Sequence, residues 1–245
     1  GKTVGDGLDR LFPISKIERY RKRARLGAHL RACAAVLVLR PEDRTLTQDY
    51  VSSRVIKPMR MGVDKNIFVP QPAARDEVEK EYKIPPGKFL TLFVGRVDAG
   101  KNMPLLMRAC AKAIEKGTKL HLVVVGVGPM SNRVKAALGN NVTLTGFLPP
   151  EKLARIYAAA DCLSMASDIE IGGLVGVEAL ACGCPVLASK KSGVAQLYGN
   201  SPAVKEVDSG VAAWAEMYAF LAKDKARLTS MREAAHTFRN EKLAD

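Results

Sequence analysis

The chain has 245 residues, 47% hydrophobic and 26% charged, the length of one large domain or one and a half ordinary ones and enough to build a substantial core. Its longest apolar runs, 89–94 and 120–125, are about six residues, far below the ~20 of a membrane-spanning helix. No stretch therefore reads as a transmembrane helix. Gly1-Lys2-Thr3-Val4-Gly5-Asp6 has no apolar core of the secretory kind. The cysteines (Cys33, Cys110, Cys162, Cys182, Cys184) show neither a C-x-x-C pair nor a zinc-like histidine spacing. Reduced, structural thiols are expected, and with them a cytoplasmic location.

The net charge of +13 is uneven. Residues 1–60 hold 14 Lys/Arg against 6 Asp/Glu, a net +8, which leaves +5 for the other 185 residues. The run Lys16-Ile17-Glu18-Arg19-Tyr20-Arg21-Lys22-Arg23-Ala24-Arg25 lies in a segment, 16–31, that reads as helix. Its basic face suits an anionic membrane surface, and equally a plain solvated face. Nucleic acid is disfavoured, because no aromatic side chains are interleaved to stack bases. Residues 34–39 read as a strand and 45–53 as a polar helix or loop. Pro70-Gln71-Pro72 and Pro85-Pro86-Gly87 punctuate the approach to a different region. The domain boundary is placed near residue 55, giving 1–54 and 55–245.

From residue 89 onward, short apolar runs alternate with helical stripes. The runs 89–94, 120–125, 142–145, 162–165 and 185–189 show little in/out alternation, as strands buried on both faces do. Between the second strand and its predecessor, Leu105, Leu106, Ala109, Cys110, Ala113 and Ile114 form a helical stripe, with Pro104 in its first turn and Gly117 as a stop. Leu153, Ile156, Tyr157 and Ala160 form another. Trp214, Met217, Tyr218 and Leu221 form a third. The pattern predicts an α/β domain with a doubly wound, Rossmann-like parallel sheet.

Ligands of such sheets bind beyond the carboxyl ends of the strands, where three loops stand out. Gly95-Arg96-Val97-Asp98-Ala99-Gly100-Lys101-Asn102 leads into a helix, and two cations beside a helix N-terminus suit a pyrophosphate. By itself this is also an ordinary polar loop. Gly126-Val127-Gly128-Pro129 lacks the third glycine and the acidic ribose anchor of a dinucleotide fingerprint, so a tight turn is an equal reading. The third loop runs from Ser167 through Glu170, Gly172 and Gly173 into a helix that carries Glu178 and ends before Gly183. The eight-residue separation of the glutamates spans at most ~12 Å at helical rise. That is roughly the reach from the ribose to the hexose of a nucleotide sugar. A Glu178 buried in an otherwise apolar helix is costly without a partner.

These segments resemble the donor-binding half of family-four retaining glycosyltransferases of the GT-B fold, from about residue 60 to 239 and more loosely from 34. Met61-Gly62-Val63-Asp64 with Phe68 and Pro70 resembles the lead-in to the family's second domain. Phe93-Val94-Gly95-Arg96 with Lys101-Asn102 resembles its phosphate loop, and Val125-Gly126-Val127-Gly128-Pro129 the next one, with Val127 in place of an acidic residue. Asn141-Val142-Thr143-Leu144-Thr145-Gly146-Phe147-Leu148 resembles the segment beside the base. Ala158-Ala159-Ala160-Asp161, Glu170 and Glu178 through Val186 resemble the paired-glutamate signature, with Gly172 where an aromatic residue is common.

The resemblance implies a hexosyltransferase acting with retention of configuration on a nucleotide-diphosphate sugar. Glu170, Arg96 and Lys101 are the implied catalytic residues. Arg96 and Lys101 neutralise the leaving diphosphate, and Glu170 orients the sugar and steadies charge at its anomeric carbon. Glu178 binds the ribose, the amides of Gly173, Leu174 and Val175 meet phosphate or sugar, and Leu148 meets the base. Gly95 and Gly172 complete the donor-binding set. No metal or cofactor is implied. Two GT-B halves of roughly 150–200 residues, six βα units at ~30 each, exceed this length. Residues 1–54 are then expected to be the tail of an N-terminal, acceptor-side domain, with the acceptor a glycan or lipid-linked molecule and a partner chain able to supply the remainder. A peripheral membrane contact is expected of the basic helix. The alternatives are a sugar-nucleotide epimerase on the same fold and a non-catalytic nucleotide-sugar-binding subunit. His29, His121 and His236, the epimerase's candidate acid/base groups, fall on expected helices or a strand.

Overall fold

The computed structural model describes residues 16–39, 41–59, 62–167, 170 and 173–242. The chain divides into two compact units, residues 1–60 and 61–245. In the first, α1 (Lys16–Ala32) is followed by β1 (Val36–Val38), α2 (Pro41–Gln48) and β2 (Ile56–Pro58). β1 and β2 pair in parallel, with Val36 opposite Ile56. The polar helix starts earlier than the expected 45–53. Pro41 has the fixed φ of a first helical position, and Glu42 and Asp43 favour the positive end of the helix dipole. α1 leaves Tyr20 and Leu26 exposed between its arginines, so it is polar nearly all round.

The second unit holds α3 (Ala74–Glu81), β3 (Phe89–Val94), α4 (Met103–Glu115), β4 (Leu120–Val125), α5 (Ser131–Leu138) and β5 (Val142–Gly146). It continues with α6 (Pro150–Ala159), β6 (Cys162–Met165), α7 (Leu174–Ala181), β7 (Val186–Ser189), α8 (Gly193–Tyr198), β8 (Val204–Val207), α9 (Val211–Lys223) and α10 (Lys225–Lys242). Among the described residues the sheet has six strands in the order β5-β4-β3-β6-β7-β8. Every pairing in it is parallel. The expected doubly wound α/β sheet is present. β8, α3 and α8 had no counterpart in the sequence reading. β8 is an edge strand whose central Lys205 and Glu206 are exposed, so it has no apolar run to betray it.

Each buried strand feeds two cores. Leu90 and Leu92 of β3 pack toward Ala74, Val78, Ile156 and Tyr157 on one face. Phe89 and Phe93 pack toward Leu106, Ala109, Trp214 and Tyr218 on the other. Two helical layers therefore cover a sheet apolar on both sides, which hides the period-two signal. The end of the sheet where β6 begins is tied by charge. Asp161 accepts from the Leu90 amide at 2.7 Å and pairs with Arg75 at 3.0 Å and Arg232 at 3.2 Å. The two arginines also donate to the carbonyls of Lys88, Ala159 and Ala160. These bonds join α3 and α10 to β3 and β6.

Candidate functional site

The strand order reverses direction between β3 and β6. A parallel sheet opens there into a crevice beyond the strand ends, because the loops leave toward opposite faces. Two of the three unusual loops, 95–102 after β3 and 166–173 after β6, flank that point. Each leads into a helix, α4 or α7, whose first amides lack helical acceptors. Gly173 caps α7 in the left-handed conformation, at φ +61°.

The first loop is braced from within. Asp98 accepts from the Lys101 amide at 3.0 Å and forms an ion pair with Arg96. Arg96 itself is 73% exposed, so its guanidinium reaches into solvent. Asn102, left-handed at φ 56°, donates from its side chain to the Ala166 carbonyl at 3.1 Å. Ser167 donates to the Gly100 carbonyl at 3.3 Å. The two loops are thus stitched together on either side of the switch point.

The strongest stitch is ionic. Lys101 Nζ donates to Glu170 Oε2 at 2.5 Å, and the Glu170 carbonyl accepts from the Gly193 amide of α8 at 2.6 Å. The pair is partly screened from water, with side chains 35% and 19% exposed. Two groups named as catalytic in the sequence reading are therefore in contact. Glu178 is apart from them, on α7, half-buried, and its Oε2 accepts from the Tyr157 hydroxyl at 2.9 Å. Burial raises the Glu178 carboxyl above its ordinary value, and the tyrosine bond opposes that rise.

The Gly126–Pro129 loop packs against the loop after β3. A Cβ on Gly126 would lie 2.0 Å from the Gly95 carbonyl oxygen, and one on Gly128 would lie 2.3 Å from that of Val97. Glycines here let the backbone of the β4 loop lie directly on the β3 loop. Gly95 lies at that contact, and its amide donates to Val125. Leu148 packs, partly buried, against the core face that also holds Tyr157. Leu174 is exposed and Val175 half-buried at the start of α7, while Gly172 lies outside the described residues. Asp161 is at the opposite end of β6 and is tied into ion pairs. Tyr157 entered the sequence reading only as part of an apolar stripe; its hydroxyl, on a buried stripe that has no need of one, was the available signal.

His29 lies on α1 and His236 on α10. His121 of β4 is buried, shares a hydrogen bond with Thr143 at 2.9 Å, and is pushed down to about 4 by burial and by Lys88, Lys135 and Arg75. Among the described residues, no three His, Cys, Asp or Glu side chains gather in a way that could hold a metal ion. No described helix is long and apolar enough to cross a membrane.

The chain is similar in sequence and in fold to known proteins. The D-inositol 3-phosphate glycosyltransferase of Nocardia farcinica is 33% identical over 221 residues, covering 80% of this chain and 46% of that protein. Anabaena HepE, solved in complex with UDP and glucose, superposes with a TM-score of 0.72 at 19% identity, over 89% of this chain and 63% of that one. The C-terminal domain of a group 1 glycosyl transferase family protein from Francisella tularensis superposes with a TM-score of 0.64 at 22% identity, over 75% of this chain and 100% of that domain. The fold is that of GT-B glycosyltransferases. The chain spans only about a third to a half of the length of the curated relatives it matches. A family model described as "Glycosyl transferases group 1" matches residues 74–238. Since that match takes in all six strands and every loop at the switch point, the chain belongs to the group 1 glycosyl transferases.

Proposed function

We propose that this chain is the donor-binding part of a retaining hexosyltransferase, holding a nucleoside-diphosphate sugar at the β3/β6 switch point. The observation that carries this reading is the Lys101–Glu170 contact between two helix-opening loops. A diphosphate arriving between α4 and α7 meets two helix N-termini, Lys101 and the exposed guanidinium of Arg96, which Asp98 holds. Negative charge grows on that diphosphate as the glycosidic bond breaks, so these cations stabilise the transition state more than the ground state. Glu170, held by Lys101 and Gly193, is fixed at the edge where the hexose sits and steadies positive charge at the anomeric carbon. Glu178 takes the ribose hydroxyls, the amides of Gly173, Leu174 and Val175 meet phosphate or sugar, and the Leu148 backbone meets the base. Gly95 leaves the donor room. The reaction needs no metal, because fixed cations take that role.

The acceptor is a glycan or lipid-linked molecule. Residues 1–54 are the end of an N-terminal, acceptor-side domain, and a partner chain is a further source of acceptor contacts. The basic face of α1 rests on anionic membrane from the cytoplasmic side; cosedimentation with anionic vesicles that ignores salt would count against this contact.

The central test is calorimetric titration with UDP, GDP and ADP, with and without Lys101→Met. One nucleotide should bind, and the variant should lose about tenfold or more in affinity, as expected for a charge-assisted bond of ~1.5–3 kcal/mol. Equal, negligible binding of all three sinks the reading. With the matching sugar donor and an acceptor, retention appears as an unchanged anomeric configuration by NMR. Conversion of the donor without an acceptor would instead favour an epimerase, and binding without turnover in the complete assembly a non-catalytic subunit.

A further inference from the structure

We propose that Tyr157 is a positioning residue for donor binding: its hydroxyl holds one oxygen of the Glu178 carboxylate and so leaves the other directed at the ribose hydroxyls. This rests on the reading of Glu178 as the ribose ligand. Tyr157 lies on α6, fully buried, with its ring centroid 6.2 Å from that of Phe68. Its Oη donates to Glu178 Oε2 at 2.9 Å, from one helix to the next on the same face of the sheet. Among the described residues, this is the hydrogen bond given to the Glu178 carboxylate.

The surroundings explain why such a bond is needed. Glu178 sits on a helix whose other side chains are Leu174, Val175, Val177, Ala179, Leu180 and Ala181, so nothing polar on α7 itself can orient it. A half-buried carboxylate left free would choose among rotamers and pay to order itself when the ligand arrives. One donor on one oxygen removes most of that freedom and leaves acceptor capacity on the other. The tyrosine is suited to the task. Burial first, and the neighbouring glutamate second, push its phenol well above its ordinary value, so it remains a donor at any working pH. A purely structural tyrosine would need only some acceptor; this one uses the single carboxylate of α7.

The test compares binding of whichever of UDP, GDP or ADP the chain takes best with binding of its 2′,3′-dideoxy counterpart. Four proteins are titrated: the parent chain, Tyr157→Phe, Glu178→Ala and the double variant. Phenylalanine keeps the ring against Phe68 and removes only the donor. The parent should prefer the ribose form by about tenfold, the equivalent of 1.4 kcal/mol. Tyr157→Phe should cut that preference to two- or threefold and leave the dideoxy affinity unchanged. In the Glu178→Ala background, which has lost the preference, Tyr157→Phe should change nothing further. A Tyr157→Phe protein that keeps the full preference, weakens both ligands equally or fails to fold makes the tyrosine structural and overturns the proposal. A preference that survives Glu178→Ala overturns the ribose assignment of Glu178, and this proposal with it.

Discussion

Lys101 Nζ and Glu170 Oε2 lie 2.5 Å apart across the switch point, although 69 residues separate them in the chain. The contact joins a cation suited to phosphate with a carboxylate suited to sugar hydroxyls. Each restrains the other before any ligand arrives. A diphosphate sugar bridging them would replace none of their backbone anchors, since Asp98 holds the Lys101 amide and Gly193 holds the Glu170 carbonyl. On the proposed reading these anchors preorganise the site, which lowers the cost of binding.

The two glutamates should separate in their effects. Glu178→Ala should weaken nucleoside-diphosphate binding by ~1.5–3 kcal/mol, the worth of a charge-assisted hydrogen bond. Glu170→Gln should leave that binding nearly intact and reduce affinity or turnover only with the whole sugar donor. Calorimetry with both ligands decides; equal losses on the plain nucleotide would show the assignment to be wrong.

Gly126→Ala should destabilise the second unit by about 3 kcal/mol, from a strained φ of +132° plus a Cβ set against the Gly95 carbonyl. Urea unfolding measures it through the midpoint at constant slope. A neutral result would mean that the two loops are not packed as described.

Asp161→Ala should cost stability and spare the site. It removes the carboxylate paired with Arg232 and one of the two paired with Arg75, which keeps Glu79 at 2.6 Å; the arginine side chains are 29% and 28% exposed. The partial exposure places the loss near 2–3 kcal/mol, below the range for fully buried pairs. Nucleotide affinity measured well below the melting temperature should stay within twofold, because this ion-pair cluster lies at the other end of β6.

Acid should weaken the fold through His121. Its folded pKa of about 4 lies below the ordinary 6.5, so the unfolded chain binds the proton more readily. That stability is fully present above pH 6.5 and is lost as pH falls toward 4. Between pH 7 and 5 the share from this histidine is about 2 kcal/mol. His121→Gln, which can keep a bond to Thr143, should flatten the acid limb of urea-derived stability by that amount. An unchanged limb would assign the acid loss to other groups.

Much of the architecture was legible along the chain. Apolar runs of four to six residues separated by helical stripes announce a parallel sheet, because strands covered on both faces must be apolar throughout. Glycines at strand ends and a glutamate inside an apolar helix mark the crevice for the same local reasons. The edge strand β8 escaped because two of its four residues face water.

What the sequence determined by itself was the type of the buried strands and of most helices, the position of the strand-end loops and the family resemblance, since these follow from local spacing and residue chemistry. The tertiary structure alone decided which groups meet. Strand order set β3 beside β6 and so brought Lys101 to Glu170, while helix packing brought Tyr157 to Glu178. It also gave the Gly126–Pro129 loop a packing role against Gly95 and Val97, and placed Asp161 among Arg75 and Arg232. Contacts between residues tens of positions apart depend on how twisted layers stack, and no local period in the chain encodes that stacking.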